Sequence, residues 1–491
     1  MLTLVFCGVG YFLSWKFQKR NQYTLAILFL VICGLALRLY TSADFYLHSW
    51  DERYHALVAK NLMSHPLIPT LYNNPVLSYD FKNWLGNHIW LHKQPLPLWS
   101  MALSMKLFGV NEIALRLPSI VLTTIGIWLT YSVAVYFFNR RVGYLAAFFY
   151  SINGLIIEMA AGRVATDHVD IFFLFFIELA VFFSIQFVQK EKSVYNILTG
   201  VSIGAAILSK WLPALIVLPI WLLIVIDSRK FNSQKIIVQF LLLLTSCVAI
   251  CLPWQLYIFH TFPEEANWEL GSTFKHISET LDAQGGPFYY FLDKMRINYG
   301  ELIYLPVLWF LWRSSKNLKD LKMLAICFWF LIPIVFFSFV ETKMQGYILF
   351  TCPALFIVTA QFYYTLENYK SRGAQKWLLT ALLFLFIALP IRYMIERVKP
   401  LDNASRHLKG VEDLKLVNEN HFTNGLLFNY SKPVEAMFYT DLTAYPSIPS
   451  KNIILNLLQQ KYTVIINDDG NIPEDIQSLN GIVKRKFVPI E

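Results

Sequence analysis

Charge is what this chain of 491 residues has least of. Only 15% of its residues are Asp, Glu, Lys or Arg, against about 25% in soluble domains. The shortfall comes from long apolar blocks separated by short charged clusters, the pattern of a polytopic membrane protein. Cysteine is sparse too. Cys7, Cys33, Cys247, Cys251, Cys327 and Cys352 all fall inside apolar segments, so no disulfide framework or zinc spacing is implied, and small apolar fillers within helices describe them. The short loops contain no Gly-rich phosphate loop, which argues against a nucleotide-driven pump. Gly-x-Ser-x-Gly and His-Glu-x-x-His are absent as well, which argues against a serine hydrolase or a metalloprotease. No internal repeat or low-complexity tract is present.

The chain has instead a wealth of apolar helix-forming runs. A membrane span needs about 20 apolar residues, and candidate helices lie at 2–15, 24–40, 113–138, 142–160, 170–188, 194–209, 211–226, 234–254, 301–312, 321–340, 345–366 and 376–392. The apolar start is followed, not preceded, by Lys16, Lys19 and Arg20. That order is the reverse of a cleaved signal peptide, so a retained helix is expected. The fold class expected is thus an α-helical polytopic membrane protein with about 11–13 transmembrane helices.

Charge then sets orientation. One alternate set of loops carries Lys16/Lys19/Arg20, Arg140/Arg141, Lys190/Lys192, Arg229/Lys230/Lys235, Arg313/Lys316/Lys319/Lys322 and Lys370/Arg372/Lys376. The opposite short loops hold only Arg163, Lys210 and Lys343. By the positive-inside rule the first set is cytoplasmic. The net charge of +9 is therefore topological, and no nucleic-acid partner is expected. Segments 41–112, 161–169, 255–300, 341–344 and 393–491 fall outside, which places the protein in the plasma (inner) membrane as a multi-pass chain with an extracytoplasmic site. Two domains are expected: 1–399, a transmembrane domain with long outer loops 41–112 and 255–300, and 400–491, a small extracytoplasmic α/β domain. In the first loop, 95–108 reads as an amphipathic interfacial helix with Leu98, Met101, Met105 and Phe108 along one side. In the tail, 426–430 and 462–466 read as strands, 434–439 and 451–460 as helices.

Four clusters could carry chemistry. Trp50-Asp51-Glu52-Arg53-Tyr54 places two carboxylates at the membrane surface, where one could act as a base or both bind a divalent cation; a solvated helix start with Asp51 near the N-cap is the plainer reading. His92-Lys93-Gln94-Pro95-Leu96 presents a lysine suited to a lipid phosphate, or one that only snorkels. Arg163 to Asp170 interrupts apolar sequence with Arg163, Asp167, His168 and Asp170, and ionisable groups at membrane depth are costly and usually functional. Asp167 is the better second carboxylate, while Asp170 also fits an ordinary first-turn residue opposing the helix dipole. In Glu341-Thr342-Lys343-Met344-Gln345-Gly346-Tyr347, Lys343 could hold a phosphate and Tyr347 could line a pocket, or both could be interfacial anchors. Arg38, Glu158 and Glu178 read as interfacial charges near helix ends.

Together these elements resemble a known family. The run Trp50-Asp51-Glu52-Arg53-Tyr54 is followed by Lys93-Gln94-Pro95-Leu96 and by Phe108-Gly109-x-Asn111-Glu112-x-x-x-Arg116-Leu117-Pro118. Arg163, Asp167 and Lys343-x-x-x-Tyr347-x-Leu349 come later. This is similar to the C-type (GT-C) membrane glycosyltransferases, in the branch of protein O-mannosyltransferases and aminoarabinose–lipid A transferases. The resemblance covers roughly 24–366 and departs from the usual Lys-Pro-Pro-Leu at Gln94. It implies a helical bundle with interfacial helices in the first outer loop, and transfer of a sugar from a polyprenyl-phosphate donor to a lipid, glycan or protein acceptor. It further implies Asp51 and Asp167 as the catalytic carboxylates, and Lys93, Lys343, Tyr347 and Arg163 around the donor phosphate. Glu52, His92, His168 and Asp170 would lie nearby, and a divalent cation, Mg or Mn, would be held by Asp51 and Asp167. The rivals are a lipid-linked glycan ligase and a transporter, though transporters usually set their ionisable residues near the bilayer midplane on repeated, broken helices.

Overall fold

The computed structural model describes residues 2–369, 376–402, 404–418, 422 and 424–490. All twelve expected apolar helices are present. Seven are long and apolar enough to cross a membrane: Tyr23–Ser42, Glu112–Phe137, Asp167–Lys190, Ser233–Thr261, Leu321–Phe339, Gln345–Tyr369 and Lys376–Val398. The pair Arg140–Ile152 and Gly154–Ala160, bent by 49°, makes an eighth. The bend has a local cause. Asn153 leaves the helix with φ −65° and ψ 113°, and its side chain caps Gly154–Ala160 by accepting from the Ile156 amide. Helices Leu2–Lys19, Ser193–Lys210, Val217–Ser228 and Tyr304–Lys316 complete the set. Lys370 and Arg372 of the expected basic loop lie outside the described residues.

The chain divides into two compact units. The first comprises residues 1–42, 93–97 and 116–402. Within it, Asp167–Lys190 is the central helix: 72% of its most apolar stretch is buried, against 17% for Ser233–Thr261 and for Lys376–Val398. Those two therefore present their apolar faces to lipid. Close helix packing here depends on small residues. A Cβ on Gly200 would meet the Leu243 carbonyl oxygen at 2.3 Å, so this glycine sets the approach of Ser193–Lys210 to Ser233–Thr261. The second long loop forms the helices Pro263–Ser278 and Tyr290–Tyr299. Its backbone pairs with the late loop: Glu341 N donates to Ile277 O (3.1 Å), Thr342 N to His276 O (3.1 Å) and Lys343 N to Gln284 O (2.9 Å).

The second unit comprises 43–92, 98–115 and 403–491. The expected boundary at 399/400 separated the first loop from the tail, but the two share one hydrophobic core in which Leu57, Trp90, Met101 and Leu115 pack with Leu414, Leu427 and Ile465. The tail is α/β as expected. Strands β1 (Gly425–Phe428), β2 (Thr443–Ala444), β3 (Thr463–Asn467) and β4 (Ile482–Arg485) form a parallel sheet in the order β2-β1-β3-β4. Helices Pro433–Tyr439 and Lys451–Gln459 lie where they were expected. The helices Lys409–Asn418 and Glu474–Gln477 and strands β2 and β4 were not foreseen. In the first loop the helix Pro95–Phe108 has its expected bounds. Leu98, Met101 and Met105 are buried, but Phe108 is 62% exposed, because the helix ends there and Gly109 turns the chain away with φ 85°.

Candidate active site

Within the first unit the structure gathers a charged cluster at the start of the central helix. Thr166, the residue before Asp167–Lys190, has φ 64°, a left-handed conformation that a β-branched residue rarely adopts. Its hydroxyl donates to Asp170 Oδ2, which offsets part of that strain. Asp170 Oδ1 takes the Lys210 ammonium as hydrogen bond and ion pair. Lys210 is the last residue of the helix Ser193–Lys210, and the chain leaves it through Trp211 with φ 87°. Two strained non-glycine residues thus flank one partly buried ion pair, a pattern found most often at functional sites. The Lys210 ammonium also lies 4.4 Å from the centre of the Tyr347 ring, a cation–π contact. Lys93 acts electrostatically on the same carboxylate. Gly346 lets the late loop approach, since a Cβ there would stand 2.5 Å from Asp170 Oδ2 and 2.7 Å from Thr166 Oγ1.

The other expected residues of this unit make contacts of their own. Asp167 and His168 are fully buried. Asp167 Oδ1 accepts from the His168 amide, and His168 Nδ1 lies 2.8 Å from Ser119 Oγ. That contact orients the imidazole and fits a positioning role. Lys343 is only 4% exposed and follows Thr342, whose hydroxyl donates to the Glu279 carbonyl at 2.7 Å. Arg163 reaches the Val398 carbonyl at 3.4 Å. Gln94, the departure from the usual Pro-Pro, accepts from Gln255 Nε2 at 2.9 Å, so a side-chain tether stands where a rigid residue was expected.

Asp51, Glu52 and His92 belong to the second unit. Asp51 opens the helix Asp51–Leu62 and is half-buried. Glu52 is fully buried and accepts from the His48 amide at 2.7 Å, so it ties the preceding loop to the helix start. His92 stacks on Trp84, with ring centroids 4.4 Å apart and planes 3° apart. In the later motif Asn111 caps the helix Glu112–Phe137 by accepting from the Ala114 amide at 2.8 Å. Arg116, in the first unit, is buried and donates to the Ser42 carbonyl at 2.8 Å. Among the described residues no group of three or more His, Cys, Asp and Glu side chains is placed to hold a metal ion.

Two crevices among the helices Tyr290–Tyr299, Gln345–Tyr369 and Lys376–Val398 share Tyr299, Thr359 and Pro390. Neither contains an expected site residue. Sequence reasoning missed Lys210 as a site residue, although it is a charge flanked by apolar sequence on both sides, the same signal that marked Asp167. It also misread two charges, Glu178 and Arg38. Glu178 is not interfacial: it sits in the middle of Asp167–Lys190, fully buried, and accepts from Thr130 Oγ1 at 2.6 Å. Arg38 is fully buried and donates to Thr123 Oγ1 at 2.8 Å. Glu158 pairs with Arg397, which also reaches Asn298 (3.2 Å) and Gln345 (3.1 Å).

Comparison with known proteins shows what the chain is similar to. Residues 92–257 match the family model described as dolichyl-phosphate-mannose-protein mannosyltransferase. That segment begins at His92, one residue before Lys93, and runs through the Asp167, Asp170 and Lys210 cluster. Over most of its length the chain superimposes on the crystal structure of ArnT from Cupriavidus metallidurans bound to undecaprenyl phosphate, with a TM-score of 0.61 at 15% identity, covering 89% of this chain and 88% of that one. The chain shares the fold of that structure. The archaeal oligosaccharyltransferase AglB from Archaeoglobus fulgidus shares this fold with a TM-score of 0.55 at 12% identity, covering 88% of this chain and 65% of that one. In sequence, the chain is 28% identical over 287 residues to the undecaprenyl phosphate-alpha-4-amino-4-deoxy-L-arabinose arabinosyl transferase 1 of Pseudomonas fluorescens, covering 54% of this chain and 48% of that protein. A second such transferase, from Pseudomonas savastanoi, is 24% identical. The chain spans about half the length of the curated relatives it matches. The resemblance to the mannosyl- and aminoarabinosyltransferase branch, drawn from motifs, is borne out.

Proposed function

We propose that this protein transfers a sugar from a polyprenyl-phosphate donor to a lipid, glycan or protein acceptor at the extracytoplasmic face of the plasma membrane. The observation that carries this reading is the pairing of half-buried Lys210, packed on Tyr347, with buried Asp170 beside Asp167, with Lys93 acting on the same carboxylate, in a fold shared with ArnT. Breaking the bond from sugar to phosphate leaves negative charge on the phosphate. Two ammonium groups already fixed near that point, in a site of low dielectric, stabilise the charge as it develops. Lys93 and Lys210 take this part, with Lys343 and Arg163 completing the basic lining and Tyr347 holding Lys210 in place. Asp51 accepts the proton of the acceptor nucleophile, and Asp167 is the second carboxylate of the reaction. His168 positions Asp167, and Glu52 and His92 position the segments that carry Asp51 and Lys93. The names of the arabinosyl transferase relatives support a pentosyl donor, and the name of the family model supports a mannosyl one. The two are tested side by side.

The test is transfer of radiolabel from undecaprenyl-phosphate aminoarabinose and from a polyprenyl-phosphate mannose in membranes holding the full chain. Asp51→Asn and Asp167→Asn are each expected to lower kcat by about 10³-fold, in the range seen when a general base or a fixed electrostatic group is removed. Normal rates in both variants would overturn the mechanism. Because lysines neutralise the phosphate in this reading, transfer is expected to keep at least half its rate in excess EDTA. A loss of more than tenfold, restored by Mg²⁺ or Mn²⁺, would assign that task to a cation held with help from the substrate.

A further inference from the structure

The tail of this chain is bonded to the first loop at the helix that carries Asp51. The helix Asp51–Leu62 packs on the helix Pro433–Tyr439 and is held at both ends. Near its start Arg53 pairs with Glu435 at 3.2 Å, and the Glu435 side chain is 3% exposed. Near its end the Lys60 ammonium donates to three carbonyls at the C-terminal end of Pro433–Tyr439: Met437 (2.9 Å), Phe438 (3.1 Å) and Thr440 (2.7 Å). These carbonyls are the unsatisfied acceptors at a helix C-terminus, and a lysine there answers both the hydrogen bonds and the helix dipole. A third tie lies in the loop before Asp51. The Leu47 amide donates to Tyr439 Oη, which donates to Glu112 Oε1, both at 2.9 Å.

A buried ion pair contributes little net stability, and apolar residues of similar volume often do as well. What it fixes is geometry. Arg53 and Glu435 lie two residues from Asp51 on one side and inside the tail's core on the other. We propose that the C-terminal domain is a brace that sets the position of Asp51, with Glu435 and Lys60 as positioning residues for the transfer reaction. This rests on the reading of Asp51 as the base given above.

The test uses the full chain, purified in detergent, with Glu435→Gln, Lys60→Met and Asp51→Asn compared with the natural protein. Both positioning variants are expected to lose at least tenfold in kcat, with KM for the polyprenyl-phosphate sugar unchanged within twofold. Amide hydrogen exchange across 51–62 is expected to speed up in both, while exchange in Asp167–Lys190 stays as it was. A general packing defect would instead raise KM and speed exchange in both places. The brace is overturned if both variants keep kcat within twofold of the natural protein, or if exchange at 51–62 does not change. Should Glu435→Gln fail to accumulate in folded form, Lys60→Met decides by the same criteria. Asp51→Asn separates the two claims. Full activity in that variant sinks the assignment of the base, while exchange at 51–62 still reports on the brace.

Discussion

At the scale of single residues, the cluster turns on a pair that no local pattern joins. Asp170 stood out in the sequence because it interrupts an apolar run, as did Asp167. Lys210 did not, because its partner lies forty residues away and a lysine at a helix end is usually only interfacial. The sequence showed which residues are charged where charge is costly, but not which of them meet. Removing one member of a buried pair leaves the other uncompensated, at a cost of about 3–5 kcal/mol. Lys210→Met is therefore expected to lower the thermal midpoint in detergent and to cut transfer by more than 100-fold. Lys210→Arg keeps the charge but brings a planar group to a site shaped for a compact one, and should retain between about 1 and 10% of the rate. Full activity in Lys210→Met would remove this lysine from the site.

At the scale of elements, the helices were legible because long apolar runs leave little choice of structure in a membrane. The bounds of Pro95–Phe108 were legible because Pro at the start and Gly just past the end punctuate it. Loop pairing was not, since the contact of 276–284 with 341–343 runs through backbone groups that any residue carries. The same late loop brings Gly346 against Asp170, and here the missing side chain matters. In Gly346→Ala the new methyl group would need to displace Asp170 Oδ2 or Thr166 Oγ1, atoms held in one hydrogen-bonded set. The Met159 methyl, also 2.5 Å away, can move more easily. The expected result is a fall of about 10-fold in kcat with the protein still folded, read by parallel activity and melting measurements. A rate within twofold of the natural protein would show that the late loop can retreat without consequence for the chemistry.

At the scale of the whole molecule, the proposed reaction requires that the loops carrying Asp51, Asp167 and Lys343 face outward, and charge asymmetry is the evidence for that side. Accessibility decides it. The chain's own cysteines are unsuited to label from water: Cys7, Cys33, Cys247, Cys327 and Cys352 are buried and Cys251 is half-buried. A single introduced cysteine would therefore report its own side. Asp282→Cys lies in the second long loop, and Lys319→Cys lies in the turn between Tyr304–Lys316 and Leu321–Phe339. In intact cells a membrane-impermeant maleimide should label Asp282→Cys at least tenfold faster than Lys319→Cys, and lysis should make the two equal. The two positions are separated by one helix passage, Tyr304–Lys316 with its leading turn Glu301–Ile303. If that short passage did not cross the bilayer, both would label alike in intact cells. If the orientation were reversed, Lys319→Cys alone would label. The reversed result would place the carboxylates and lysines of the site on the cytoplasmic face, and the proposed transfer at the extracytoplasmic surface would fall with it.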